Sequence, residues 1–200
     1  MRLIVSELAC ERGGRVLFSG MGFAVANGEA AMLTGPNGAG KTSLLSILAG
    51  LLKPLSGAAR LEDARGEESD LSEEAHLVGH RDGVKSQLLV SENLQFCQKL
   101  LGSPWLSPRE ALATLGLEHV LGLPCAYLSS GQRRRVALAR LLVSRRPLWL
   151  LDEPTAALDL ASRALLTKLM ADHLASGGLI VAASHEPLGI ATQEIRIGEG

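Results

Sequence analysis

Three short stretches of this sequence combine residue types that can handle the phosphates of a nucleotide. Gly35, Pro36, Asn37, Gly38, Ala39, Gly40, Lys41 and Thr42 fit the pattern G-x-x-x-x-G-K-[ST] at every position. Glycines let a loop close tightly, so successive backbone N–H groups point inward at an anion. A helix starting at Lys41 adds its positive N-terminal end. Lys41 supplies a point charge for the β- and γ-phosphates, the Thr42 hydroxyl is a ligand for Mg²⁺, and Ser43 completes this candidate set. Further on, the apolar run of Leu148, Trp149, Leu150 and Leu151 ends in Asp152 and Glu153. A buried strand of that kind delivers carboxylates to the edge of a sheet, beside the phosphates. Asp152 is then a candidate holder of Mg²⁺, and Glu153 a candidate base that polarises the attacking water. The third stretch, Leu128, Ser129, Ser130, Gly131 and Gln132, leads into Arg133, Arg134, Arg135 and Arg140. Small residues opening a basic helix make a second anion site, and equally an ordinary serine N-cap.

The elements around these stretches suit them. Residues 30–34 read as a short apolar strand that runs into the glycine-rich loop, and residues 41–49 are helix formers. Residues 148–151 and 179–183 are wholly apolar, the pattern of strands buried on both faces of a parallel sheet. Residues 3–9 and 16–26 read as a strand pair around a turn at Gly13 and Gly14. Residues 76–79 and 195–197 are short strand candidates. The segments 131–144 and 160–174 read as helices, as does 91–116 with breaks at Gly102, Pro104 and Pro108. Residues 62–74, rich in acids, read as a solvated surface stretch. The expected class is α/β: a mostly parallel core sheet, an N-terminal antiparallel β part and an inserted helical lobe.

Composition narrows the options. The chain has 200 residues, 46% hydrophobic and 20% charged, which suits a single globular domain over 1–200. A formal net charge of −1 and an aromatic content of 3% give no footprint for nucleic acid. Cys10, Cys97 and Cys125 are far apart and form no CxxC, which predicts reduced, buried thiols. No stretch reaches the roughly 18 apolar residues of a membrane span, so any membrane attachment is expected to run through a partner.

Taken in order, the motifs resemble one family. Residues 128–132 and the basic helix after them resemble the signature of ABC-type ATP-binding subunits, commonly LSGGQ, with Ser130 in place of the first glycine. Pro154, Thr155, Ala156, Ala157, Leu158 and Asp159 are similar to that family's D-loop, and His185 stands after a strand where the family keeps its switch histidine. The resemblance covers essentially the whole chain. It implies ATP hydrolysis with Mg²⁺ and a head-to-tail homodimer. It implies that Ser129, Gly131 and Gln132 close over the γ-phosphate held by the opposite subunit, with Asp159 along the interface. It further implies that His185 contacts the γ-phosphate and orients Glu153, and that a helical lobe spans about 84–145. Two positions depart from the family. His80 stands where the Q-loop glutamine belongs, and no aromatic for adenine stacking lies between Cys10 and Arg15, which leaves the Arg12 guanidinium as the candidate.

His80, residues 173–178 and residues 185–189 are together similar to the ATP-binding subunits of cytochrome c maturation systems, the haem exporter ATPases. That resemblance implies multi-span membrane permease subunits as partners, a peripheral place on the cytoplasmic face of the inner membrane, and a role in haem export or handover. With no haem-attachment motif, direct haem binding is not expected, and His76 and His80 read as non-ligands. Two alternatives stand beside it. One is an ABC transport ATPase for another cargo. The other is a non-transport ABC switch protein, which usually carries paired ATPase domains, long coiled coils or basic arms.

Overall fold

The computed structural model describes residues 1–198. The chain opens with β1 (Arg2–Arg12) and β2 (Arg15–Ala26), an antiparallel pair in which Arg2 faces Ala26 and Arg12 faces Arg15. β3 (Ala30–Thr34) leads through the glycine-rich loop into α1 (Lys41–Leu48). β4 (Ser56–Glu62), the two-residue β5 (Glu68–Ser69) and the short α2 (Leu71–Glu74) precede β6 (Ala75–Val78). Three helices follow: α3 (Val90–Leu101), α4 (Pro108–Thr114) and α5 (Ser130–Val143). The chain then runs through β7 (Leu148–Asp152), α6 (Leu160–Ala175), β8 (Leu179–Ala183) and β9 (Gln193–Arg196).

These strands make two sheets. One is antiparallel in the order β2-β1-β4-β5, and the other has five strands in the order β6-β7-β8-β3-β9, every pair parallel. Side chains alternate across a strand, so each central strand feeds two cores. Leu148 and Leu150 of β7, with Leu179, Val181 and Ala183 of β8, pack against the antiparallel sheet and α1. Trp149 and Leu151, with Ile180 and Ala182, pack against α5 and α6 on the opposite face. Wholly apolar strands are what a sheet covered on both sides requires.

The helical segments begin where their caps predict. Ser107 and Glu110 form a capping box at α4 with Pro108 at its first turn, Ser129 and Gln132 form one at α5, and Asp159 caps α6 through the Ser162 amide. Cys10, Cys97 and Cys125 are buried and free.

The stretch expected to be plain solvated surface carries more structure than its composition suggests. β4 continues to Glu62 by pairing with β1, Arg2 facing Glu62 and Leu3 facing Leu61, and β5 and α2 follow. Ser, Gly and Ala in β4 have little strand preference of their own. The ladder with β1 and the complete burial of Leu61 hold them extended. Among the described residues no helix is long and apolar enough to cross a membrane.

Candidate active site

β7, β8 and β3 are neighbours and run parallel, so their C-terminal ends emerge side by side. The glycine-rich loop leaves β3, Asp152 and Glu153 leave β7, and Ser184 and His185 leave β8. The Glu153 amide donates to the Ala183 carbonyl at 2.8 Å, which extends the ladder to that corner.

The loop's glycines are dictated by contact as well as charge. Gly35 holds φ 133°, and a Cβ there would lie 2.2 Å from the Ile197 carbonyl oxygen. Gly40, in the left-handed region, turns the chain into α1. Lys41 is largely buried at the first position of that helix, and its Nζ donates to the carbonyls of Gly35 at 2.7 Å and Pro36 at 3.2 Å. The Thr42 hydroxyl donates to Asp152 Oδ2 at 2.9 Å. Two hard oxygen donors on converging elements fit Mg²⁺ well. His185 Nε2 lies 3.0 Å from Asn37 Oδ1 and 3.7 Å from Glu153 Oε1. Glu153 itself has φ 47°, a strained backbone for a residue with a side chain.

These groups surround one cavity of about 690 Å³, within the range of small-molecule sites. Asn37, Gly38, Gly40, Lys41, Thr42, Ser43, His80, Asp152, Glu153 and His185 all line it, with Arg12 at the same cavity. Pro36 and Ala39 instead face an adjoining cavity beside β9. The three residues expected near a γ-phosphate in trans, and Asp159 expected along the interface, are absent from the lining of this chain's own cavity. Ser129 Oγ accepts from the Gln132 amide, and Gln132 Oε1 accepts from the Ser129 amide. Gly131 lies against the D-loop, where a Cβ would meet the Ala157 carbonyl at 3.1 Å. Asp159 caps α6, and its hydrogen bonds from Ser162 hold its carboxyl below the usual carboxylate range.

The family model for ABC transporters matches residues 18–156. The chain belongs to the ABC transporter family. It is an ATPase of that family and binds ATP. It is 55% identical over 200 residues to the cytochrome c biogenesis ATP-binding export protein CcmA of Rhodopseudomonas palustris, covering 99% of this chain and 98% of that one. It is 50% identical to the protein of the same name from Chelativorans, each chain covered completely. Among solved structures, the dimeric post-hydrolysis state of the ATP-binding cassette MJ0796 bound to ADP and Pi superposes with a TM-score of 0.81 at 22% identity, covering 98% of this chain and 94% of that one.

Two features of this ABC protein's cavity escape a reading of the sequence. Leu17 and Ser46 line it, and neither stands in a motif. Arg134, one of three consecutive arginines, is buried behind the site, where its Nη2 donates to the backbone carbonyls of Asp152 and Glu153. A run of like residues offers no hint of which one turns inward.

Proposed function

We propose that this chain is the ATP-hydrolysing subunit of an ABC export complex that serves cytochrome c biogenesis. The observation that carries the enzymatic part is the convergence of Lys41, the Thr42–Asp152 pair, Glu153 and His185 on one cavity. ATP lies with its phosphates over the glycine-rich loop, held by backbone N–H groups and by Lys41. Thr42 and Asp152 would hold Mg²⁺, which would supply positive charge to offset that of the phosphates. Glu153 accepts a proton from the attacking water, whose oxygen bonds to the γ-phosphorus as the bond to the bridging oxygen breaks, leaving ADP and phosphate. His185, within reach of both the loop and Glu153, orients the carboxylate and senses the γ-phosphate. His80, in the place of a Q-loop glutamine, lines the same cavity.

The signature residues Ser129, Gly131 and Gln132 lie away from this chain's own cavity, which supports a homodimer in which each subunit completes the other's site, with Asp159 along the interface. The whole chain acts as one ATP-binding domain, with residues from about 84 to 145 as its helical lobe. It works peripherally at the cytoplasmic face of the inner membrane, bound to multi-span permease subunits. Identity of 50–55% over nearly the full chain to proteins named for cytochrome c biogenesis supports the pathway.

Glu153→Gln separates binding from chemistry. It should retain ATP, lose about 10²-fold or more of its turnover and accumulate as a dimer; native turnover would show that Glu153 is not the base. The pathway is tested in cells whose only copy carries Lys41→Ala. Covalently bound haem should vanish from c-type cytochromes while the apoproteins persist. Normal haem staining would leave an ABC ATPase with another cargo.

A further inference from the structure

Arg134 sits in the second turn of α5, five residues after its cap Ser129, with only 2% of its surface exposed. Its guanidinium lies where the C-terminal ends of β6 and β7 meet. Those strands are parallel neighbours, Val78 facing Leu151, so the backbone just beyond each end lies within one fork's reach. On the β7 side, Nη2 donates to the carbonyls of Asp152 at 2.9 Å and Glu153 at 2.7 Å. On the β6 side, Nη1 donates to the Gly79 carbonyl at 2.8 Å and pairs with Asp82 Oδ1 at 3.4 Å. The Gly79 and Asp82 contacts bracket His80.

We propose that Arg134 is a positioning residue that couples α5 to the hydrolytic centre, fixing the backbone of Glu153 and the His80 segment as one unit. This rests on the reading of Glu153 as the base.

The reason lies in what each bond restrains. Glu153 holds a left-handed backbone at φ 47°, which persists only where surrounding contacts enforce it. Its amide is held by Ala183 and its carbonyl by Arg134, so both sides of the strained residue are fixed. The carboxylate's approach to a water depends on that backbone, and a misplacement of about 1 Å costs a large factor in rate. Arg134 is also costly to keep. Burial disfavours its charged form, Nε is buried without a partner, and its contact with the Asp82 carboxylate is long, at 3.4 Å, and partly exposed. A buried charge of this kind is a poor source of stability, and specificity of arrangement is its better-attested use. Only a planar fork, with two donor nitrogens held apart, spans both strand ends, since the donors of a lysine all radiate from one nitrogen. Because Arg134 stands near the N-terminus of α5, beside Ser129 to Gln132, any shift of that helix end displaces Glu153 and the His80 segment together. Engagement of the signature by a second subunit would therefore reach the base through one side chain.

The test is a double-mutant cycle on the full chain, with steady-state ATP hydrolysis and equilibrium ATP binding measured for each variant. Arg134→Lys should lower kcat by about tenfold or more while ATP affinity stays within about twofold. In the Glu153→Gln background the same change should add almost nothing, because a residue that acts through Glu153 has nothing left to position. Asp82→Asn removes the ion pair from a more accessible place and tests the His80 side should Arg134→Lys fail to fold. It should lower kcat several-fold, and again only where Glu153 is intact. Undiminished losses in the Glu153→Gln background, or ATP affinity falling in step with kcat, would overturn the proposal and make Arg134 a packing residue. Native turnover by Glu153→Gln alone would overturn the base assignment together with this one, whereas additive losses overturn the Arg134 proposal alone.

Discussion

At the scale of single residues, the site depends on charges held where they are usable. Lys41 is the example. Its aliphatic stem is buried, and its amine is drawn over the loop by the Gly35 and Pro36 carbonyls, close to where a phosphate would lie. A hydrogen bond to a charged group contributes about 1.5–3 kcal/mol, and about 1.4 kcal/mol is tenfold in affinity. Lys41→Ala should therefore weaken ATP binding at least about tenfold in a calorimetric titration. Unchanged affinity would remove the loop from the binding site. Lys41 stands out as a candidate from its motif, because that spacing has few structural uses other than wrapping an anion. Arg134 does not, because its partners are backbone carbonyls brought close only by folding.

At the scale of elements, the contact between α6 and the start of β8 shows how tightly packing constrains choice. The His173 ring lies flat on Trp149, centroids 3.9 Å apart, and its Nε2–H donates to the Pro147 carbonyl at 3.0 Å. The chain then returns through Gly178, where a Cβ would lie 2.2 Å from His173 Nε2. Gly178→Ala forces the ring off its stack. Overpacking of this sort costs about 1–3 kcal/mol, at about 2–4 °C of Tm for each kcal/mol in a chain of this size. Thermal melts should show that loss, and it should largely disappear when His173 is also changed to Ala. An equal loss in both backgrounds would mean the clash lies elsewhere. In the sequence Gly177 and Gly178 read simply as a turn. That the second glycine makes room for a ring is a tertiary fact.

At the scale of the whole molecule, two histidines, His76 buried and His173 half-buried, tie folding to pH. Burial first, then the positive charges of Arg140 and Arg146, pushes the His76 pKa down to about 3 from 6.5. Burial likewise pushes His173 down to about 4, the Arg145 charge adding to it against the hydrogen bonds at Pro147 and Leu179. Both are neutral in the folded protein, while the unfolded chain takes up these protons near pH 6.5. Their contribution is complete above about pH 6.5 and is lost as pH falls from there, down to about 4 for His173 and about 3 for His76. Melts between pH 7 and pH 4.5 should show Tm falling on acidification. A His76→Asn, His173→Asn double variant, although less stable at pH 7, should show a shallower fall. An identical slope in the two proteins would assign the acid sensitivity to other groups.

The sequence by itself marked the candidate phosphate loop, the two carboxylates at the end of β7 and the buried parallel strands, because each is local. A glycine pattern, a run of apolar residues and an acid at a strand end carry their meaning within a few positions. The tertiary structure decided which separate pieces meet. It set β7 between β6 and β8, so that Glu153, His185 and the His80 segment share one corner. It drew residues 56–62 into a strand on the strength of their partner rather than their own preference. It also turned one arginine of three inward across two strand ends. Pairing order and long-range contact depend on residues tens of positions apart, and neither composition nor spacing within a segment encodes them.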